Sequence, residues 1–124
     1  MPFAHLEATA LENYEPDILF DTIVIMGVLE HFEDIPATLK KIRSLLTLTG
    51  LPANDGFVYV ESPNCLAYSE DKTEGFRQTF NGSGQTEWHL ARTSWEKMIL
   101  DAEFTILRSI IGSNPFVEFI WVLK

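Results

Sequence analysis

The stretch Phe20-Asp21-Thr22-Ile23-Val24-Ile25-Met26-Gly27-Val28-Leu29-Glu30-His31 constrains this chain more than any other, because an apolar run passes directly into a glutamate–histidine pair. Thr22 to Met26 lack the polar alternation of a half-exposed strand and read as a strand covered on both faces. Such strands are usually parallel and flanked by helices, and in open parallel sheets the ligand crevice lies outside the strands' carboxyl ends. Met26 to His31 are therefore expected at the lip of a crevice.

The residues downstream extend this strand into a β-α-β unit. Asp34-Ile35-Pro36 opens a helix, with a carboxylate to cap free amides and a proline where its missing donor costs nothing. Its buried stripe is Leu39, Ile42, Leu45 and Leu46, it is expected to run to about Leu48, and Gly50 is its stop. Phe57-Val58-Tyr59-Val60 reads as a second strand after a turn-rich connection. Upstream, Phe3 to Tyr14 has an apolar spacing that favours a short helix and also allows a strand stub followed by a helical turn, and the first strand is expected from about Leu19 to Met26.

From Ser62 to Gln85 the sequence turns to Pro, Asn, Gly, Ser and charged residues with scattered aromatics, a long functional or poorly ordered loop. Thr93-Ser94-Trp95-Glu96 has capping-box spacing for a helix through Trp95, Met98, Ile99 and Ala102. Two apolar segments, Phe104 to Ile111 and Phe116 to Leu123, close the chain as an antiparallel hairpin. The fold class is α/β, and the 124 residues are expected to form a single domain.

The net charge of −9, with nine basic residues against eighteen acids, argues against nucleic acid as a partner. Lys40, Lys41 and Arg43 read as a solvated helix flank. No apolar run suits a membrane span, and the N-terminus has no signal-peptide pattern. Together with the single Cys65, too few for an internal disulfide, this points to the cytoplasm. No Ser or Cys stands at a nucleophile elbow, and no His, Cys, Asp or Glu set has metal-ligand spacing.

These residues together resemble a known family. Phe20-Asp21, Val28-Leu29-Glu30-His31, Asp34, the helix ending at Gly50, Ser62-Pro63-Asn64 and His89 ahead of a capped helix are similar, in order and spacing, to the C-terminal half of class I S-adenosylmethionine-dependent methyltransferases. The small-molecule branch of that family is the nearest likeness, with Leu11-Glu12-Asn13-Tyr14 at its usual distance before Phe20. The resemblance implies a partial Rossmann-like sheet of strands equivalent to 4-5-7-6, the last pair an antiparallel hairpin. The family's glycine-rich cofactor motif does not appear; Gly82-Ser83-Gly84 lies in a loop and reads as flexibility.

The resemblance further implies S-adenosylmethionine as cofactor, with Met26, Gly27 and Val28 beside its methionine portion and Thr9, Ala10 and Leu11 near the adenine. His31 is the candidate general base, since histidine titrates near neutrality, and Glu30 its orienting partner. Asn64, Trp88, His89 and Arg92 fall on the side of a small-molecule methyl acceptor, and Gly27 stands where a magnesium-binding glutamate occurs in some relatives, so no metal is expected. Each residue also has a structural reading: His31 as a helix-entrance histidine, Gly27 as a turn, Trp88 as a loop anchor. A strand lacking its central neighbour leaves an apolar edge, which predicts a homodimer through that edge. Two functions are compatible with these residues: methyl transfer, or a noncatalytic interaction module pairing through the same edge.

Overall fold

The structure, a computed structural model, describes residues 7–49, 55–63, 76–79, 86–90, 92–111 and 118–124, with the backbone alone at 63, 76–79, 86, 87, 89, 111 and 118. Strand β1 (Thr22–Met26), helix α1 (Ile35–Ser44) and strand β2 (Phe57–Pro63) come first, followed by a ribbon of β3 (Phe76–Thr79) and β4 (Thr86–His89). Helix α2 (Arg92–Asp101) and strands β5 (Ile106–Ile111) and β6 (Glu118–Leu123) complete the chain.

The main sheet has the order β1-β2-β6-β5. β1 and β2 are parallel, whereas β6 runs antiparallel to both β2 and β5. This is the expected 4-5-7-6 arrangement with its closing hairpin. The segment expected to be a long loop, Ser62 to Gln85, contains strand β3, which pairs antiparallel with β4 just beyond it, from Phe76↔His89 to Thr79↔Thr86.

Burial along the strands follows one parity. Ile25, Val58, Val60, Phe119, Trp121 and Leu123 are buried and join Leu39 and Ile42 of α1 and Trp95 and Ile99 of α2 in one core. Both helices thus pack on the same face of the sheet. The largest aromatic groups of that core touch, Trp121 lying 6.1 Å from Trp95 and 5.3 Å from Phe119 between ring centroids. Contacts of this kind add about 0.5–1.5 kcal/mol beyond area burial.

The opposite face corrects one expectation. β1 is not covered on both sides: Val24 is 57% and Met26 58% exposed, and β1 is the outermost strand of its sheet. An uninterrupted apolar run is the signature of double coverage, yet among the described residues no helix supplies the second cover.

The helix entrance of α1 forms as read. Asp34 Oδ1 accepts from the Ala37 amide at 3.0 Å, and Pro36 occupies the first turn. The helix ends at Ser44 rather than near Leu48, because the chain beyond it is drawn against Phe20: Phe20 N–H donates to Leu45 O at 2.8 Å and Thr47 N–H to Phe20 O at 2.9 Å. Leu45 and Leu46 remain buried as expected; Gly50 lies outside the described residues. The basic flank is partly engaged, with Lys41 Nζ 2.6 Å from Glu15 Oε1 and Arg43 Nε donating to Glu103 O at 3.1 Å.

Other boundaries shift locally. Within Phe3–Tyr14 the described part holds a helical turn, the 3-10 turn Leu11–Asn13, which packs against α1; residues 1–6 lie outside the described residues. Thr93 is inside α2 instead of capping it, since the helix already includes Arg92 and Glu96 accepts from Arg92 Nε at 2.7 Å. At its other end α2 closes with a Schellman motif: Phe104 N–H reaches Ile99 O, Glu103 N–H reaches Leu100 O, and Glu103 adopts φ 70°.

Gly56, ahead of β2, passes so close to the chain at Phe20 and Asp21 that a Cβ there would stand 2.7 Å from Asp21 O and 2.9 Å from Leu46 Cδ1. This close approach seats β2 beside β1 where both strands begin, at the Thr22↔Phe57 start of their register.

Candidate functional site

At the carboxyl end of β1 the backbone turns sharply. Gly27 takes φ 65°, its amide donating to Glu61 O of the neighbouring strand at 3.1 Å. That left-handed conformation favours glycine, and no atom lies within 4 Å of where a Cβ would project. Met26 before it and Val28 after it are both largely exposed. A bend with open space above it is thus set into the lip, flanked by apolar side chains.

The chain then makes a 3-10 turn, Leu29–His31, held by His31 N–H on Val28 O at 3.0 Å. Leu29 is fully buried and anchors the turn, which carries Glu30 inward to 2% exposure. A buried carboxylate is costly unless it is hydrogen-bonded. Ser62 Oγ, at the end of β2, donates to Glu30 Oε2 at 3.1 Å, and His31 Nε2 lies 3.7 Å from Glu30 Oε1. The parallel register, with Met26 opposite Glu61, brings the two strand ends level and puts these groups together. His31 retains 33% side-chain exposure, so its ring spans buried acid and solvent.

This arrangement sets a carboxyl group against an imidazole ring, and the hydrogen bond from Ser62 fixes the carboxyl in place. Glu30 and His31 are residues expected at the lip from sequence, and Ser62 belongs to the Ser62-Pro63-Asn64 run named there.

The remaining candidate residues lie at other points. Thr9 and Ala10 are exposed and Leu11 half-buried. A cavity of about 270 Å³ is lined by Glu7, Thr9, Leu11 and Tyr14. Leu11 also lines a second cavity of about 270 Å³ with Phe32, Asp34 and Ala37, so a concave surface runs from Thr9 to the residue after His31. Trp88 is half-buried and its Nε1 donates to Phe32 O at 3.1 Å, tying the β3–β4 ribbon to the same lip. It walls a larger cavity, about 640 Å³, with Ile35, Pro36, Leu90 and Met98 between the helix entrances.

Arg92 is engaged along α2 with Glu96, which also accepts from Ser109 Oγ at 3.4 Å. His89 is placed by its backbone alone, opposite Phe76, and Asn64 lies outside the described residues. The sequence did not point to Phe32, whose carbonyl receives Trp88, because an apolar residue's carbonyl gives no signal in a sequence. Among the described residues no group of three or more His, Cys, Asp or Glu side chains is placed to hold a metal ion, and no helix is long and apolar enough to cross a membrane.

Neither a family model nor a curated protein sequence matches the chain. Solved structures do. An S-adenosylmethionine-dependent methyltransferase from Clostridium acetobutylicum ATCC 824 superposes with a TM-score of 0.68 at 10% identity, over 95% of this chain and 63% of that one. The 1,6-didemethyltoxoflavin-N1-methyltransferase of Burkholderia thailandensis, with bound 1,6-didemethyltoxoflavin and S-adenosylhomocysteine, gives 0.74 at 16% identity over 94% and 48%. The glycopeptide N-methyltransferase MtfA, complexed with S-adenosyl-L-methionine, gives 0.67 at 11% identity over 94% and 58%.

The chain therefore has part of the class I S-adenosylmethionine-dependent methyltransferase fold. It spans about half to two thirds of the length of these three chains.

Proposed function

We propose that the chain belongs to a cytoplasmic S-adenosylmethionine-dependent methyltransferase acting on a small-molecule acceptor. The observation that carries this reading is the lip itself: the left-handed, uncovered Gly27 lies four residues before His31, whose ring stands 3.7 Å from the buried Glu30 carboxylate. The fold neighbours support the same reaction class.

Met26, Gly27 and Val28 fit the methionine portion of the cofactor, because a backbone without a Cβ at Gly27 admits close approach. Thr9 and Leu11, which line a cavity, and Ala10 between them in sequence fit its adenine. S-adenosylmethionine, when bound, supplies an activated methyl group on a sulfonium. His31 takes the proton that an acceptor hydroxyl or amine gives up as the methyl is transferred, Glu30 stabilises the imidazolium, and Ser62 holds Glu30 in place. Trp88 borders the acceptor, and an apolar or planar acceptor suits the indole wall.

Isothermal titration of the chain with S-adenosylmethionine tests the reading, with dissociation constants in the micromolar range expected. No binding at millimolar cofactor refutes it. Transfer confined to charged, nonaromatic acceptors in a panel of phenols, amines and lipids would refute the acceptor class alone.

A further inference from the structure

The cavity of about 640 Å³ between the entrances of α1 and α2 falls within the roughly 300–1,000 Å³ that small-molecule sites occupy. Its walls are apolar and fixed. Ile35 and Leu90 are 3% and 9% exposed and belong to the core, and Trp88 and Met98 pack against it. The indole N–H of Trp88 is committed to Phe32 O at 3.1 Å, so what the indole gives the cavity is ring carbon and π surface. Such walls suit an aromatic or branched apolar body.

Charge around this cavity is uneven. Glu33 and Asp34 line it side by side from the turn that opens α1, and Asp34 is held there by the Ala37 amide on its Oδ1. The opposing cation is Lys97 of α2, whose side chain is 81% exposed and whose Nζ lies 3.8 Å from Asp101 Oδ2, one turn further along the helix. Asp101 offsets Lys97, so the two acids at the α1 entrance set the sign of the site. The chain's net charge of −9 draws cations toward it as well.

We infer that this cavity binds the acceptor as an amine, with an aromatic or apolar body against Trp88 and an ammonium group at Glu33 and Asp34. Carboxylates and the face of an indole both attract a cation. A hydroxyl on the same body gains little from either, and a carboxylate is repelled by the acids. The inference rests on the methyltransferase reading only in calling this compound the acceptor; the binding stands on the cavity. Glu33 follows His31 by two residues, which keeps the ammonium within about 8 Å of backbone from the base. The transfer balances: the ammonium gives one proton to His31, the nitrogen pair so freed bonds to the methyl carbon, the carbon–sulfur bond breaks with its pair going to sulfur, and the product leaves as a methylammonium.

Titration calorimetry of the whole chain, without cofactor, against 2-phenylethylamine, 2-phenylethanol and 3-phenylpropanoate tests the site. The amine is expected to bind with a dissociation constant of about 1 mM or below, tenfold or more tighter than the other two. Glu33→Gln combined with Asp34→Asn, which keeps a capping residue, should weaken the amine about tenfold and leave the alcohol unchanged. Ser94→Trp, which puts an indole at the cavity's edge, should abolish amine binding, with unchanged circular dichroism confirming that both variants fold. No amine binding at about 20 mM, an alcohol or carboxylate that binds as tightly, or an amine affinity unchanged in either variant would each overturn the inference. Amine binding by a chain that does not bind S-adenosylmethionine upholds the amine site and refutes only the methyl-transfer reading, whereas cofactor binding without amine binding refutes the site alone.

Discussion

Ser62 Oγ donates to Glu30 Oε2 over 3.1 Å, joining the end of β2 to the turn after β1 across 32 residues of sequence. The bond satisfies a carboxylate that is 2% exposed. Ser62→Ala leaves it one donor short and is expected to cost about 1–3 kcal/mol in urea unfolding. Glu30→Gln keeps an acceptor for Ser62 but loses the charge facing His31. It should change stability by less than Ser62→Ala while lowering methyl transfer, a difference that parallel unfolding and activity measurements resolve.

Gly27→Ala meets no steric obstacle, since nothing stands within 4 Å of the new Cβ. Its cost is conformational, about 1–2 kcal/mol for an L-residue at φ 65°. The added methyl enters the open space above the bend, so cofactor affinity is expected to drop on the order of tenfold by titration calorimetry.

Gly56→Ala is the contrasting case. There the Cβ would stand 2.7 Å from Asp21 O and 3.0 Å from Phe20 O, both backbone atoms. Relief requires moving β2 away from β1, at about 1–3 kcal/mol. Thermal unfolding should show the loss.

Glu103→Gly should stabilise. Glu103 occupies the left-handed position of the Schellman motif at φ 70°, where glycine has no Cβ penalty. The ion pair it would give up, 3.9 Å to Arg43 with an 81% exposed carboxylate, is worth little at the surface. A gain of about 1 kcal/mol, a few degrees in melting temperature, is expected.

The Thr49 amide, donating to Asp55 Oδ1 at 2.7 Å, is the main reason the Asp55 carboxyl lies below its ordinary 3.8, and the Thr49 hydroxyl adds to it. A depressed folded value means that this contribution is fully present above pH 3.8 and is lost as pH falls through the lower folded value. Asp55→Asn should remove that part of the pH dependence, so parent and variant stabilities converge as acid is added. Urea midpoints measured from pH 6 downward, in steps of about 0.5, check it.

What the sequence disclosed divides by range. Asp34 and Pro36 mark a helix start through contacts within one turn, and the structure keeps it. The closing hairpin was legible from the short connection between two apolar segments, and the sheet order from the family resemblance that Phe20-Asp21, Glu30-His31 and Ser62-Pro63-Asn64 carry. The end of α1 was not: Leu46 continues the helical stripe, and only the backbone of Phe20, 26 positions earlier, takes it out of the helix. The exposure of Val24 and Met26 was equally hidden, since periodicity reports how apolar a strand is and not whether anything lies across it. At the site, Glu30 and His31 stood out by position, whereas the bond from Trp88 to the Phe32 carbonyl depends on how the ribbon folds back.

The chain's three tryptophans occupy two different settings. Trp95 and Trp121 are fully buried, with no hydrogen-bond partner for either Nε1 among the described residues, whereas Trp88 sits half-buried at the lip with its Nε1 bonded. Indole emission therefore carries two optical signals: a blue component reporting whether the core is intact, and a redder one reporting what happens at the crevice. A Trp88→Phe variant separates them, so occupancy of the lip can be followed by light alone, without label or coupled assay, while the core signal certifies in the same cuvette that the protein is folded.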